Sequence, residues 1–138
     1  MKSRETLIRL RKFQVDEKRR RVAQIETMIA EFERMAVDLD REIQAEQDRA
    51  GIHDPAHFAY PTYAKAAMVR RDNLRGSAND LKDKLAAAKD ALSEAFEELK
   101  KVEILDDRER TAERAQENAR DQAAMNQIGL SRAARPNL

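Results

Sequence analysis

Apolar residues recur at alternating steps of three and four along Val22, Ile25, Ile29, Phe32, Ala36, Leu39 and Ile43. Such steps draw a seam down one side of an α-helix, and a sustained 3.5-residue period is what a left-handed coiled coil requires. Continued backward, the frame meets Lys18, Val15, Arg11 and Ile8, so two basic residues interrupt it and packing is expected to loosen toward the N-terminus. A second seam runs Leu74, Ala78, Leu81, Leu85, Ala88, Leu92, Ala95, Leu99 and Val102 with no polar member. Composition agrees: 38% charged residues, 4% aromatic residues, three glycines and three prolines suit long helices better than a globule.

Between the seams lies AGIHDPAHFAYPTYA, which holds both histidines, both tyrosines and two of the prolines. Gly51 is placed to end the first helix, Asp54 with Pro55 to form a short turn, and Pro61 with Thr62 to start the second helix. A corner centred near residues 56 to 57 makes partners across an antiparallel hairpin add to roughly 113. Ile8 then falls opposite about Leu105, where the second seam stops. Charge supports the same pairing. Lys2 to Arg21 has nine basic and three acidic residues, and the opposed Leu92 to Leu105 has four acids against two bases. Val22 to Ala50 has eight acids and three bases, and faces seven bases and four acids over Tyr63 to Ala91. Exposed pairs contribute only about 0.2 to 1 kcal/mol each, so they select orientation more than they stabilise.

The expected architecture is all-α: a long two-helix antiparallel coiled-coil hairpin with a C-terminal helical overhang. It is read as a single coiled-coil domain over 1–138, with helix one at about 4–50, a corner at 51–62, helix two at about 63–128 and a flexible tail at 129–138. Gly76 is expected inside a continuous helix, because the seam keeps phase through it. Beyond Leu105 the chain is helix-prone but has little to bury. A parallel coiled-coil dimer is the rival arrangement.

Chemistry is sparse. Basic and acidic residues nearly cancel, 27 against 26, so net charge alone calls for neither nucleic acid nor an anionic membrane. There is no cysteine, and no apolar run approaches the about 18 residues of a membrane span. His53 and His57 have the spacing of a helical metal pair, but Pro55 lies between them and no third ligand is near, so a solvated turn is expected and no metal. No phosphate loop, nucleophile-base pairing or enclosed pocket for carboxylates is in view, so neither an enzyme nor a cofactor is expected. Lys18-Arg19-Arg20-Arg21 could meet nucleic acid or a ribosome, though no aromatic is interleaved and the facing strip is acidic. Phe58, Tyr60 and Tyr63 are three rings at a corner with little interior, which suits a partner surface.

The basic opening LIRLRKFQVDEKRRR, the aromatic-bearing corner, and above all ALSEAFEELKKVEIL followed by an Arg/Glu-rich stretch ending QAAMNQIGL resemble the flagellar export family FliJ. The resemblance implies a non-enzymatic coiled-coil stalk of the flagellar type III export apparatus, similar to the stalk of rotary ATPases. It also implies binding to the FliI ATPase ring, to the export gate protein FlhA and to export chaperones, in the cytoplasm at the inner-membrane base of the flagellum. Family members often carry an acidic pair near the C-terminus where this chain has Asn126-Gln127. Under this reading Asp106 to Ile128 extends past the hairpin with nothing in helix one left to pair with it. Arg108, Arg110, Arg114 and Arg120 would then contact the ring, and Phe58, Tyr60 and Tyr63 the gate. The alternative is a nucleic-acid- or ribosome-associated hairpin using Lys18 to Arg21.

Overall fold

A computed structural model describes residues 2–134, with side chains from Ser3 onward. It is all-helical: α1 spans Lys2–Ala50 and α2 spans Thr62–Ala134, and no strand occurs among the described residues. Gly76 lies within the continuous α2. The helix also runs through Gly129, six residues past the boundary at 128, while residues 135–138 lie outside the described ones. Glycine stops a helix when it turns left-handed, and only Gly51 does so, with φ at 70°.

Contacts gather into two units, Phe13–Phe96 on one hand and the segments up to Lys12 and from Glu97 on the other. In the Phe13–Phe96 unit, α1 buries Val15, Val22, Ile25, Ile29, Ala36, Leu39 and Ile43, one seam at steps of three and four. Phe32 is half-buried and Lys18 stays exposed. From α2, Ala64, Ala67 and Ala78 are buried, while Leu74, Leu81, Leu85 and Leu92 are half-buried. Two helices cover a leucine from one side only, whereas a methyl group disappears entirely beneath the larger side chains opposite.

The α2 seam begins earlier than Leu74. The same steps run back through Arg71, Ala67, Ala64 and Tyr60, and Tyr60, Ala64 and Ala67 join Leu39 and Ile43 in the main core cluster, with Ile52, Met68 and Leu74 packed against it. Arg71 occupies a seam position because Asp40 accepts its Nη1 hydrogen bond at 2.8 Å and Arg75 donates to the other oxygen of that carboxylate. This hydrogen bond from Arg71 to Asp40 outweighs burial and holds the guanidinium above the ordinary arginine value. Glu33 and Lys82 approach to 3.6 Å on the same flank, and Arg19 lies 5.2 Å over the ring of Phe96.

In the other unit Ile8, Leu99 and Val102 are half-buried, and the seam position before Ile8 is Arg4. Its Nη1 lies 2.8 Å from Glu109, its Nη2 donates to Glu113 at 3.0 Å, and its Nε lies 3.5 Å from Asp106. Pairing therefore reaches Glu113, which corrects the expectation that nothing in α1 meets Asp106 onward. Arg4 thus finds its carboxylates beyond Leu105, while Arg9 and Lys12 share a groove with Glu103 before it. Leu105 itself is exposed, and the side chains that share a groove with Ile8 are those of Ile104 and Asp106.

Ile25 is 1% exposed, so Ile25→Ala should cost about 2–4 kcal/mol in chemical denaturation, and Leu85→Ala, half-buried, distinctly less. At Gly76 an added methyl group meets nothing within 4 Å. Gly76→Ala should therefore raise stability by about 0.5–1 kcal/mol in the same measurement, and a loss would show that the glycine has a packing role.

Candidate partner-binding surfaces

Four local devices build the corner. Gly51 closes α1 in a left-handed conformation. Asp54 then folds the chain back, its carbonyl accepting from His57 N at 3.0 Å and its Oδ1 accepting from Ala56 N at 2.9 Å. His57 makes the next turn, accepting at its carbonyl from Tyr60 N and at Nδ1 from Ala59 N. Lys65 N donating to the Pro61 carbonyl at 3.1 Å closes the first turn of α2.

The three rings take three different roles. Phe58 is 97% exposed and stacks on His57 with centroids 4.7 Å apart. Tyr60 is 6% exposed: of the three rings read as a partner surface, this one fills the core between the helices. Its hydroxyl accepts from Gln47 Nε2 at 2.7 Å and points its own proton at Met68 Sδ, 3.5 Å away. Tyrosine suits that place because the ring is buried while the hydroxyl is satisfied. Tyr63 is about half exposed and donates to Glu42 at 2.7 Å. The hydrogen bond to Glu42, helped by that carboxylate's charge, raises its phenol above the ordinary value of 10.0.

Neither histidine is turned toward the other for a shared ligand. His53 Nε2 lies 3.0 Å from Asp48 Oδ1 while His57 is stacked and capped. The hydrogen bond with His53, followed by one from Gln44, lowers the Asp48 carboxyl. Among the described residues no group of three or more His, Asp or Glu side chains could hold a metal ion.

The four arginines singled out on α2 separate in the same way. Arg110 is held by Asp106 at 3.2 Å, whereas Arg108, Arg114 and Arg120 are exposed and have no ion pair among the described residues. Burial against the seam pulls the Arg4 guanidinium down, but its hydrogen bond to Glu113 and the charges of Glu113, Glu109 and Asp106 prevail and leave it above the ordinary value. Beyond Glu113 every side chain of α2 through Ala134 is exposed. Beside this cluster, Glu5, Ile8, Arg9, Lys12, Glu103, Ile104, Asp107 and Arg110 line an open groove of about 640 Å³ in which both charge signs alternate. In the basic run, Arg19 is engaged with the Phe96 ring and lies 3.9 Å from Asp16, which leaves Lys18, Arg20 and Arg21 exposed.

Arg4, Arg71 and the buried Tyr60 escaped the sequence reading, although Arg4 and Arg71 sit one step beyond the two seams and Tyr60 lies on the second seam's frame continued back by four steps. The signal was the spacing itself. The polarity of the two arginines and the apparent role of the tyrosine as a corner ring concealed it.

A family model described as "Flagellar FliJ protein" matches residues 1–138. A Flagellar FliJ protein of Caulobacter vibrioides, strain NA1000 / CB15N, is 30% identical over 129 residues, which cover 94% of this chain and 93% of that protein. Its counterpart in strain ATCC 19089 / CIP 103742 / CB 15 is likewise 30% identical over 129 residues. No solved structure matches.

Tyr60→Ala should destabilise the chain by about 3 kcal/mol, the scale of an aromatic removed from a core, whereas Phe58→Ala should stay within about 0.5 kcal/mol. Thermal and urea unfolding of the two variants separate these outcomes. A phenol proton held by Glu42 favours the fold below pH 10, and that contribution disappears as pH rises through the raised value. Ultraviolet titration should accordingly show a tyrosine ionising later than free tyrosine, and Tyr63→Phe should remove that late component.

Proposed function

The chain belongs to the FliJ family of flagellar proteins, a component of flagellar export, and on that premise we propose that it is a non-enzymatic stalk that engages the FliI ATPase ring. It couples the ring to the export gate protein FlhA and to export chaperones, working in the cytoplasm at the inner-membrane base of the flagellum. The observation that carries this reading is the single exposed helix from Arg114 to Ala134, past the last carboxylate paired with α1. Its 21 residues reach about 30 Å at the helical rise, enough to probe the central hole of a ring. Its surface mixes Arg114 and Arg120 with Glu117 and Asp121 and has no continuous apolar stripe. Polar contacts of that kind can be exchanged as a helix moves within a ring, where a dry interface would lock it.

Phe58 supports a second contact, with the gate, because a ring so exposed at the corner loses water on docking at little cost in order. No helix among the described residues is long and apolar enough to cross a membrane, so contact with a membrane gate falls to surfaces such as this one. The rival nucleic-acid reading is not favoured, since Arg19 of the basic run is already committed to Phe96 and Asp16.

Arg114→Glu with Arg120→Glu in the full chain should abolish stimulation of ATP hydrolysis by the FliI ring and leave helicity and melting unchanged. Full stimulation by that variant would remove the exposed helix from the coupling role. Phe58→Ala should weaken binding to FlhA at least tenfold without touching ATPase stimulation, and equal binding would withdraw the corner from the gate.

A further inference from the structure

In the unit formed by the segments up to Lys12 and from Glu97, the two flanks of the helix pair differ in character. One flank is the charged groove, where Glu5 and Lys12 of α1 meet Glu103 and Arg110 of α2. In an antiparallel coil, residues just after the seam on one helix meet the equivalent residues of the other, and those just before it meet on the opposite flank. Leu7 precedes Ile8 on the seam and Leu105 precedes Asp106, so both stand on the flank away from the groove. The pairing of Arg4 with Asp106, Glu109 and Glu113 sets them within one helical turn of each other. Leu10, three residues along, extends the same face of α1.

These leucines are 39%, 47% and 56% exposed for Leu7, Leu10 and Leu105, which is open for aliphatic side chains clustered so closely. Their surroundings have a definite sign. On α2, Lys101 and Arg108 lie one turn to either side of Leu105, and both are exposed. Glu98 lies 3.3 Å from Lys101 and offsets part of its charge, which leaves Arg108 as the cation here with no ion pair among the described residues. On α1, Ser3 and Thr6 carry no charge, and the charged neighbour is the basic Arg11, four residues on from Leu7.

From this we propose that the flank of Leu7, Leu10 and Leu105 is a docking surface for an acidic amphipathic helix of a partner protein. The incoming helix lays its apolar stripe over the three leucines, and carboxylates along its edge meet Arg108 and Lys101. A third helix in that position turns a two-stranded seam into a three-stranded one over about two turns. The charge of the rim sets which helices are accepted, and the leucines supply most of the affinity. The surface is separate from the exposed helix beyond Glu113 and does not depend on an ATPase partner.

Two labelled synthetic helices with the same leucine stripe, one edged with Glu and the other with Lys, test this by fluorescence anisotropy against the full chain. The Glu-edged helix should bind at least tenfold more tightly. Leu7→Ser and Leu105→Ser should each weaken it by roughly tenfold, and Lys101→Glu with Arg108→Glu should reverse the preference. The charge reversal stands alone if a serine variant loses helicity, because both basic side chains lie outside the packed seam. Equal affinity for the two helices, no binding of either, or a preference untouched by the charge reversal would overturn the proposal. Sedimentation showing that the chain dimerises and that Leu7→Ser abolishes the dimer would overturn it too, since the occupant would then be a second copy.

Discussion

Among the described residues everything follows from having two helices and no third layer. Most residues stand in water, and the seam is lined on α1 largely by buried side chains and on α2 largely by half-buried ones. Seven apolar residues of α1 from Val15 to Ile43 are buried along that line. The α2 contribution is smaller because alanines at 64, 67 and 78 vanish beneath them while leucines project past the edge. Apolar burial of this thin kind fixes which faces meet but is weak at fixing how far one helix slides along the other, since each turn resembles the next. Polar residues set into the seam supply that information: Arg71 reaches across to Asp40, and Arg75 takes the other oxygen of the same carboxylate.

Most of this was legible before any coordinates. A period of 3.5 residues is a property of spacing, so Val22 to Ile43 and Leu74 to Val102 announce themselves without reference to their neighbours. Gly51 was equally plain, since a lone glycine between a long helical run and a proline-bearing corner has few other uses. Less plain was anything that required a partner to be known. Arg4 and Arg71 read as interruptions or as surface charge until Asp106, Glu109, Glu113 and Asp40 are seen across from them. Tyr60 reads as a corner ring until the helix beginning at Thr62 carries it inward beside Ile43. The roles proposed for the arginines and Phe58 lie outside the fold altogether, because they would belong to a contact with another molecule.

The same two-helix constraint explains how a chain with so little interior can be specific. Surface belongs to almost every residue, so specificity has to come from which short stretches differ from the mixed-charge background. Phe58 differs by being bare and aromatic, Arg114 to Ala134 by having no companion helix, and the leucine flank by lacking the alternation found across the seam from it. Each is a departure from the pattern that builds the coil. Their separation along the chain would let the proposed partners be engaged without competing for one site.

The Arg4 cluster has a mechanical side. Its carboxylates at 106, 109 and 113 are spaced by three and four, so they form a ladder up the same stripe of α2. If axial load shifts α1 by one turn at this end, the guanidinium leaves one rung while keeping hold of the next. A junction built on a single ion pair would lose its only partner under such shear; three rungs at helical spacing would let this one give way a turn at a time.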